Sequence, residues 1–91
     1  MTDLSKKYNA IYSSKPEYGL GQPNKIVVDA TKYKTHGDAL DLGCGMGRNS
    51  LYLASAGFNV TAIDLSDVGI EYLRESLAQK NLSAETIVAD I

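Results

Sequence analysis

Glycines and carboxylates are spaced along the middle of this sequence in a way that predicts a ligand site. The segment DLGCGMGR, residues 41–48, carries Gly43, Gly45 and Gly47 directly after a short apolar run. Glycine has no Cβ, so a backbone rich in it can turn sharply and approach a ligand closely. Where such a loop leaves a strand and opens a helix, the free N–H groups of the helix favour a nucleotide or nucleoside ligand.

The spacing of the glycines separates three kinds of nucleotide loop. A P-loop has the pattern G-x-x-x-x-G-K-[ST], whereas five residues after Gly43 this sequence has Arg48, with no Lys-Ser pair following. A dinucleotide loop has the pattern G-x-G-x-x-G, whereas here the third glycine, Gly47, comes one position early. The remaining pattern, D-x-G-x-G-x-G, favours a nucleoside without a pyrophosphate. For the loop taken alone, a tight turn without a ligand stays the alternative.

Two further carboxylates follow where strands are expected to end. Asp64 lies about 20 residues beyond the loop, where a carboxylate can accept hydrogen bonds from both hydroxyls of an adenosine ribose. Asp90 follows the next apolar stretch, where a carboxylate can accept from the exocyclic amine of adenine. Together with Asp41 they place three acids at three strand ends, which suits a cationic ligand.

The elements that must position these residues alternate between strand and helix. Apolar and β-branched runs predict strands over residues 39–42, 59–64 and 84–91. Between them we predict two helices, the first closed by Gly57 and the second capped by Ser66 and ended at Asn81. The buried side of the second helix is predicted at Ile70, Leu73 and Leu77. This order predicts a parallel sheet with right-handed crossovers.

Two short helices are predicted ahead of the sheet. Their apolar stripes are Leu4, Tyr8, Ile11 and Tyr12 in the first and Ile26, Val27, Ala30 and Tyr33 in the second. We therefore expect an α/β fold of the Rossmann-like, three-layer α-β-α kind with a parallel sheet. The chain would hold only its first half, strand-helix-strand-helix-strand. The expected division is an N-terminal helical segment over 1–36 and a cofactor-binding half over 37–91.

Composition and charge limit the partners. Of the 91 residues 44% are apolar and 22% charged, which is ordinary for a globular domain. The formal net charge of -2 and the scattered nine Lys and Arg residues provide no basic surface, so no nucleic acid is expected. Cys44 is the only cysteine, and no apolar run reaches membrane-spanning length. We expect a cytoplasmic protein without a bound metal and without membrane contact.

The segment ALDLGCGMG resembles the first motif of the class I S-adenosylmethionine-dependent methyltransferases. Within that family, LDLGCGMGRNSLYLASAGFNV and the preceding EYGL are similar to the tellurite-resistance methyltransferases and their relatives. The resemblance covers residues 18–91. It implies S-adenosyl-L-methionine as the cofactor and transfer of its methyl group to a small-molecule acceptor.

The resemblance also implies roles for residues of the glycine-rich segment. Gly43, Cys44 and Gly45 would run against the methionine part of the cofactor, with Asp41 near its amino group. Arg48 is a candidate for steering an anionic acceptor, because a guanidinium fits oxyanions, and a surface role is its alternative. The Cys44 side chain is interpreted as a small packing group, since no histidine lies nearby in the sequence to activate it. No catalytic residue is named.

For the nucleoside part, the resemblance implies that Asp64 holds the ribose hydroxyls and that Leu65 covers the adenine. Asp90 and Ile91 would bracket the edge of the adenine. Tyr18 belongs to a loop that would fold over the cofactor.

The family's strand order, 3-2-1-4-5, puts a fourth strand beside the first, and these 91 residues contain no fourth strand. We therefore expect ALDL to form an exposed apolar edge. It would be covered by the missing C-terminal half of a longer methyltransferase or by a second copy of the chain. Two functions stay open: a methyltransferase, or a cofactor-binding half-domain or assembly module that binds without turnover.

Overall fold

A computed structural model of the chain describes residues 3–14 and 22–90. Its elements follow in the order α1 (Asp3–Ser14), α2 (Lys25–Ala30), β1 (Gly37–Leu42), α3 (Arg48–Ser55), β2 (Phe58–Asp64), α4 (Asp67–Gln79) and β3 (Glu85–Val88). Within the described part of the chain, no helix is long and apolar enough to cross a lipid bilayer.

The three strands form one parallel sheet in the order β1-β2-β3. In the register of the sheet, Leu42 lies opposite Ile63 and Asp64 lies opposite Val88. The carboxyl ends of all three strands therefore meet at one edge, and the loops that follow them share that edge. This confirms the predicted α/β half of a Rossmann-like fold, with β2 in the centre.

Helices α3 and α4 pack on the same face of the sheet. The core beneath them consists of Val60, Ala62, Leu73 and Leu77, flanked by Ala39 on β1 and by Leu51, Leu53 and Ala54 on α3. The predicted buried side of α4 is confirmed, since Ile70 and Leu73 are 0% exposed. Burying such a side chain contributes about 1.5–3 kcal/mol, so this face of the sheet carries the hydrophobic stabilisation of the chain.

The predicted helix ends are also confirmed. The Ser66 hydroxyl accepts the Gly69 N–H at 3.0 Å and so caps α4. After α4, Asn81 adopts a left-handed conformation with φ of 58°, a role that short polar side chains tolerate. Gly57 does the same after α3.

The third strand is shorter than predicted. It ends at Val88 instead of continuing to residue 91, although the Ala89 N–H still donates to the Asp64 carbonyl at 3.0 Å. The apolar composition of 84–91 indicated a strand but not where its pairing with β2 stops. Asp90 therefore lies two residues beyond the strand and is exposed.

Helix α1 forms as predicted, but its predicted apolar stripe is covered only in part, since Ile11 and Tyr12 are half-buried. Leu4 and Tyr8, on the expected apolar stripe, are 49% and 36% exposed, whereas Ser5 is 6% exposed. The reason is that α1 packs against α4 and the loop after β2 with a polar side: the Ser5 hydroxyl donates to the Leu65 carbonyl at 2.9 Å. The helical segment thus contacts the α/β part, and the division between residues 36 and 37 stays a prediction.

The opposite face of β1 is uncovered. Along this strand Ala39 and Asp41 point towards the helices, while Leu40 and Leu42 are 61% and 55% exposed. Single exposed leucines are common on protein surfaces, but two on one edge strand form an apolar strip. The expected apolar edge is present.

Candidate functional site

The segment between β1 and α3, residues 43–47, forms a compact turn that we call the glycine loop. The N–H groups of Gly43 and Cys44 both donate to the Ile63 carbonyl, at 2.8 and 3.0 Å, and Gly47 N–H donates to the Cys44 carbonyl at 3.0 Å. These bonds tie the loop to the end of β2. The loop therefore has a fixed shape at the edge where the strands end.

The glycines of the loop are required by packing as well as by backbone conformation. Gly47 has φ of 87°, and a Cβ there would lie 2.5 Å from Leu73 Cδ1. On the other side, a Cβ on Gly69 of α4 would lie 2.6 Å from the Gly45 carbonyl oxygen. The backbone of the loop thus meets α4 directly at Gly69, where only glycine fits, and meets the Leu73 side chain at Gly47.

Asp64, the last residue of β2, is held by the loops on either side of it. Its carboxylate is buried, with the residue 6% exposed, and accepts the Gly45 N–H at 3.2 Å through Oδ1 and the Ser66 N–H at 2.9 Å through Oδ2. Each carboxylate oxygen has a second lone pair, so both can still accept from a ligand hydroxyl. The sequence predicted the position of Asp64 but not its two backbone donors.

Asp41 is held by a partner that the sequence analysis missed. Ser50, in α3 and 0% exposed, donates its hydroxyl to Asp41 Oδ2 at 2.6 Å. The sequence did contain a signal for this hydrogen bond. In a strand-loop-helix unit, a serine in the first turn of the helix lies beside the end of the preceding strand. The bond leaves Oδ1 of Asp41 without a donor among the described residues.

A polar cleft of about 420 Å³ opens beside the glycine loop. It is lined by Tyr12, Asn24, Gly43, Cys44, Gly45, Met46, Arg48 and Asn49. The Arg48 guanidinium donates to Asn24 Oδ1 at 3.1 Å, and the Asn24 N–H donates to Asn49 Oδ1 at 2.8 Å. Arg48 thus lies at the cleft beside the predicted loop residues, and Asn24 is a lining residue that the sequence analysis did not name.

Tyr12 of α1 also lines this cleft. A Cβ built on Gly45 would lie 2.9 Å from the Tyr12 hydroxyl oxygen, so the ring lies directly over the glycine loop. Burial, followed by the nearby negative charge of Asp64, raises the pKa of the Tyr12 hydroxyl to about 12. The sequence analysis placed Tyr12 only on an apolar stripe, because a contact across more than thirty residues leaves no local signal.

Cys44 is protonated at neutral pH. Burial, followed by the negative charges of Asp41 and Asp64, raises the pKa of its thiol to about 12. The side chain packs against the hydrophobic core. A thiol with so high a pKa is a poor nucleophile, in agreement with its interpretation as a packing group.

The other predicted site residues are spread along the same sheet edge. Leu65 is half-buried directly after Asp64, and Asp90 is exposed beyond the end of β3. Tyr18 and Ile91 lie outside the described residues. Across residues 3–14 and 22–90, no three or more His, Cys, Asp or Glu side chains come together as a metal site. The structure gathers Asp41, Asp64 and the glycine loop, while the assigned roles stay predictions.

Known proteins resemble the chain over most of its length. A family model described as tellurite resistance protein TehB matches residues 4–91. The probable S-adenosyl-L-methionine-dependent methyltransferase TehB of Haemophilus influenzae is 42% identical over 90 residues, which are 97% of this chain and 27% of that protein. The 2-heptyl-1-hydroxyquinolin-4(1H)-one methyltransferase of Mycobacteroides abscessus is 33% identical over 81 residues, 87% of this chain and 36% of that protein.

Solved structures of methyltransferases also resemble the chain. The crystal structure of TehB from Haemophilus influenzae superposes with a TM-score of 0.76 at 36% identity, covering 91% of this chain and 28% of that one. Magnesium protoporphyrin IX methyltransferase from Synechocystis PCC 6803 with bound SAM has a TM-score of 0.75 at 16% identity, covering 96% and 52%, and shows the shared fold alone. The chain thus spans about a quarter of the TehB relative.

Proposed function

Because the chain belongs to the family of tellurite resistance protein TehB, we propose that it is the cofactor-binding part of an S-adenosylmethionine-dependent methyltransferase that acts on a small-molecule acceptor. The observation that carries the proposal is the Asp64 carboxylate. Two backbone N–H groups hold it where the glycine loop meets the end of β2, and lone pairs remain for a diol.

The described residues fit the charge and shape of this cofactor. S-adenosylmethionine, when bound, supplies an activated methyl group on a positively charged sulfonium. Asp64 would accept from the ribose hydroxyls, and Asp41, fixed by Ser50, would face the amino group of the methionine part. The backbone of Gly43 and Gly45 would run along the methionine chain, where a side chain would collide.

The adenine would be held by residues at the ends of β2 and β3. Leu65 would cover its ring, and Asp90 would accept from its amine. Tyr18 and Ile91 complete the set that the family resemblance assigns to the cofactor. Together with Asp41 and Asp64, these residues would orient the cofactor and exclude water from it, which can supply much of the rate of a methyl transfer.

Arg48 is our candidate for binding the acceptor. Its guanidinium lies at the polar cleft of about 420 Å³, oriented by Asn24. A guanidinium in this position would attract an acceptor that carries an oxyanion, including a metalloid oxyanion.

The uncovered edge of the sheet indicates a further partner. Leu40 and Leu42 on β1 are more than half exposed, and an unpaired apolar edge strand is a site for pairing with another strand. We propose that β1 is paired and its outer face covered by further sequence of a longer chain or by a second copy.

A reducing compartment such as the cytoplasm suits the single thiol of Cys44.

Calorimetric titration tests the cofactor assignment. We expect saturable binding of S-adenosylmethionine and of S-adenosylhomocysteine, and none of NAD. Asp64→Asn should weaken binding about 10- to 100-fold, since a hydrogen bond to a charged group contributes about 1.5–3 kcal/mol. Glu85→Gln, an exposed carboxylate on β3, is the matched control and should bind like the wild type. Circular dichroism checks that both variants fold, and a preference for NAD would overturn the proposal.

A cofactor-binding module without turnover is the second candidate. It is favoured by the fact that the chain covers only 27% of the TehB relative. Release of S-adenosylhomocysteine from S-adenosylmethionine, with tellurite and small thiols offered as acceptors, separates the two. Product formation that Asp64→Asn abolishes indicates an enzyme, and tight binding without product indicates a module.

A further inference from the structure

Helix α1 is fastened across the loop that follows Asp64. The Asn9 side chain makes three contacts there, with the partners Ser66, Asp67 and Val68. Its Nδ2 donates to the Asp67 carboxylate at 2.5 Å, and its Oδ1 accepts the Ser66 hydroxyl and, at 3.4 Å, the Val68 N–H. One turn earlier, Ser5 donates to the Leu65 carbonyl. Ser5 and Asn9 together dock α1 on every residue from 65 to 68.

The docked helix carries Tyr12 over the residues that hold Asp64. A Cβ on Gly69 would lie 3.2 Å from Tyr12 Cδ2, and a Cβ on Gly45 would lie 2.9 Å from the Tyr12 hydroxyl oxygen. The tyrosine ring therefore rests on two glycines, one of which, Gly45, donates its N–H to the Asp64 carboxylate. Any larger residue at either position would push the ring away.

With α1 docked, Asp64 is almost fully buried. Although both carboxylate oxygens retain lone pairs, the residue is only 6% exposed. Gly45 is next to both residues, since its N–H donates to the Asp64 carboxylate and a Cβ on it would lie 2.9 Å from the Tyr12 hydroxyl oxygen. A ribose diol that binds Asp64 must enter the space next to the carboxylate, and Tyr12 lies beside that space.

We propose that docking of α1 and binding of the cofactor compete for Asp64, with Tyr12 as the residue that must move away. This inference rests on the proposed function. A protein whose binding-competent state is only a fraction of the population binds its ligand more weakly by that fraction. Loosening α1 therefore increases the competent fraction and tightens binding.

Calorimetry with S-adenosylhomocysteine, and with adenosine as a probe of the sugar end alone, tests the competition on the 91-residue chain. We expect Tyr12→Ala to tighten the binding of both ligands about five- to tenfold, within the usual range of coupling between two sites. Asn9→Ala, which removes the fastening but keeps Tyr12, should act in the same direction with a smaller effect. Lys7→Ala, on the exposed side of the same helix, is the matched control and should leave both affinities unchanged.

Nuclear magnetic resonance supplies a readout that a merely structural role would not change. Adding S-adenosylhomocysteine to the wild type should shift the side-chain resonances of Asn9 and Tyr12 towards those of free residues, and should shift those of Lys7 much less. Wild-type binding that Tyr12→Ala and Asn9→Ala leave unchanged or weaken overturns the competition while the proposed function stands. If none of the variants binds either ligand, both proposals fail.

Discussion

The carboxyl edge of the sheet and the outer face of β1 differ in how far their side chains are buried and paired. At the carboxyl edge, Asp64 and Asp41 have defined donors, and within the described residues no buried side-chain nitrogen or oxygen lacks a hydrogen-bond partner. On the outer face of β1, by contrast, Leu40 and Leu42 are more than half exposed to solvent. The carboxyl edge is thus organised by hydrogen bonds within the described residues, whereas the outer face of β1 exposes apolar side chains.

The largest expected effect comes from comparing a leucine-to-alanine substitution under the carboxyl edge with one on the outer face of β1. Leu73→Ala, beneath the glycine loop and 0% exposed, should lower the free energy of unfolding by about 2–5 kcal/mol. Leu42→Ala, 55% exposed, should change it by less than about 0.5 kcal/mol. Urea denaturation measures both. An equally large loss for Leu42→Ala would mean that the outer face is covered in solution, and would break the comparison.

The next test concerns the polar contact beneath the carboxyl edge. Ser50→Ala removes the buried donor of Asp41 and should cost about 1–3 kcal/mol, because the carboxylate loses a hydrogen bond in a place that water reaches poorly. Ser55→Ala in the same helix is the control, since the Ser55 hydroxyl is exposed and donates to the Tyr52 carbonyl. Thermal unfolding measures both variants. Equally small losses of unfolding free energy for the two would show that Asp41 finds another donor.

A smaller difference is expected between two glycines of the same loop. Gly43 and Gly45 have φ of 67° and 59°, so alanine at either position costs about 1–2 kcal/mol of backbone strain. A Cβ at position 43 meets nothing within 4 Å, whereas one at position 45 meets the Tyr12 hydroxyl. Gly45→Ala should therefore be less stable than Gly43→Ala, and should also loosen α1. Identical unfolding midpoints would contradict the contact with Tyr12.

Below about pH 10, the smallest effect is on the pH dependence of stability. The pKa of Cys44 rises from an ordinary value of 9.0 to about 12 in the folded chain, so above pH 9 the unfolded chain loses this proton while the folded chain keeps it. The contribution of Cys44 is complete below pH 9 and is lost as the pH rises towards 12. Tyr12, raised from 10.0 to about 12, adds to the loss above pH 10.

A Cys44→Ala variant isolates the contribution of the thiol. Between pH 9 and 10 its free energy of unfolding should fall less steeply than that of the wild type. At pH 8, iodoacetamide should alkylate Cys44 at least about tenfold more slowly in the folded chain than in urea, since the thiolate is the reactive form. Equal alkylation rates would show that the thiol is not protected by its burial and by the negative charges around it.

Much of this architecture follows from local rules and could be predicted. The Ser66 cap, the left-handed Asn81 and the buried Leu73 each depend on residues within one or two turns, so spacing alone identifies them. The same rules predicted the position of Asp64 after the second strand.

The contacts of α1 could not be predicted in this way. Asn9 meets residues more than fifty positions away, and α1 docks through a polar side that hydrophobic periodicity assigns to solvent. The Gly45 donor of Asp64 depends on how the glycine loop folds back on β2, which spacing does not determine. The predicted roles of Leu65 and Asp90 depend in addition on a ligand, so the sequence and the fold leave them as predictions.

The Ile63 carbonyl, which accepts from both Gly43 and Cys44, has a consequence for motion. The two amide protons lie at the carboxyl end of the β1–β2 pair, so they can exchange with solvent only when this end of the pair opens. The glycine loop would then open only together with this end of the strand pair, in contrast to the mobile loops that line many binding sites. Slow exchange at these two positions would mean that this part of the site is rigid before any ligand arrives.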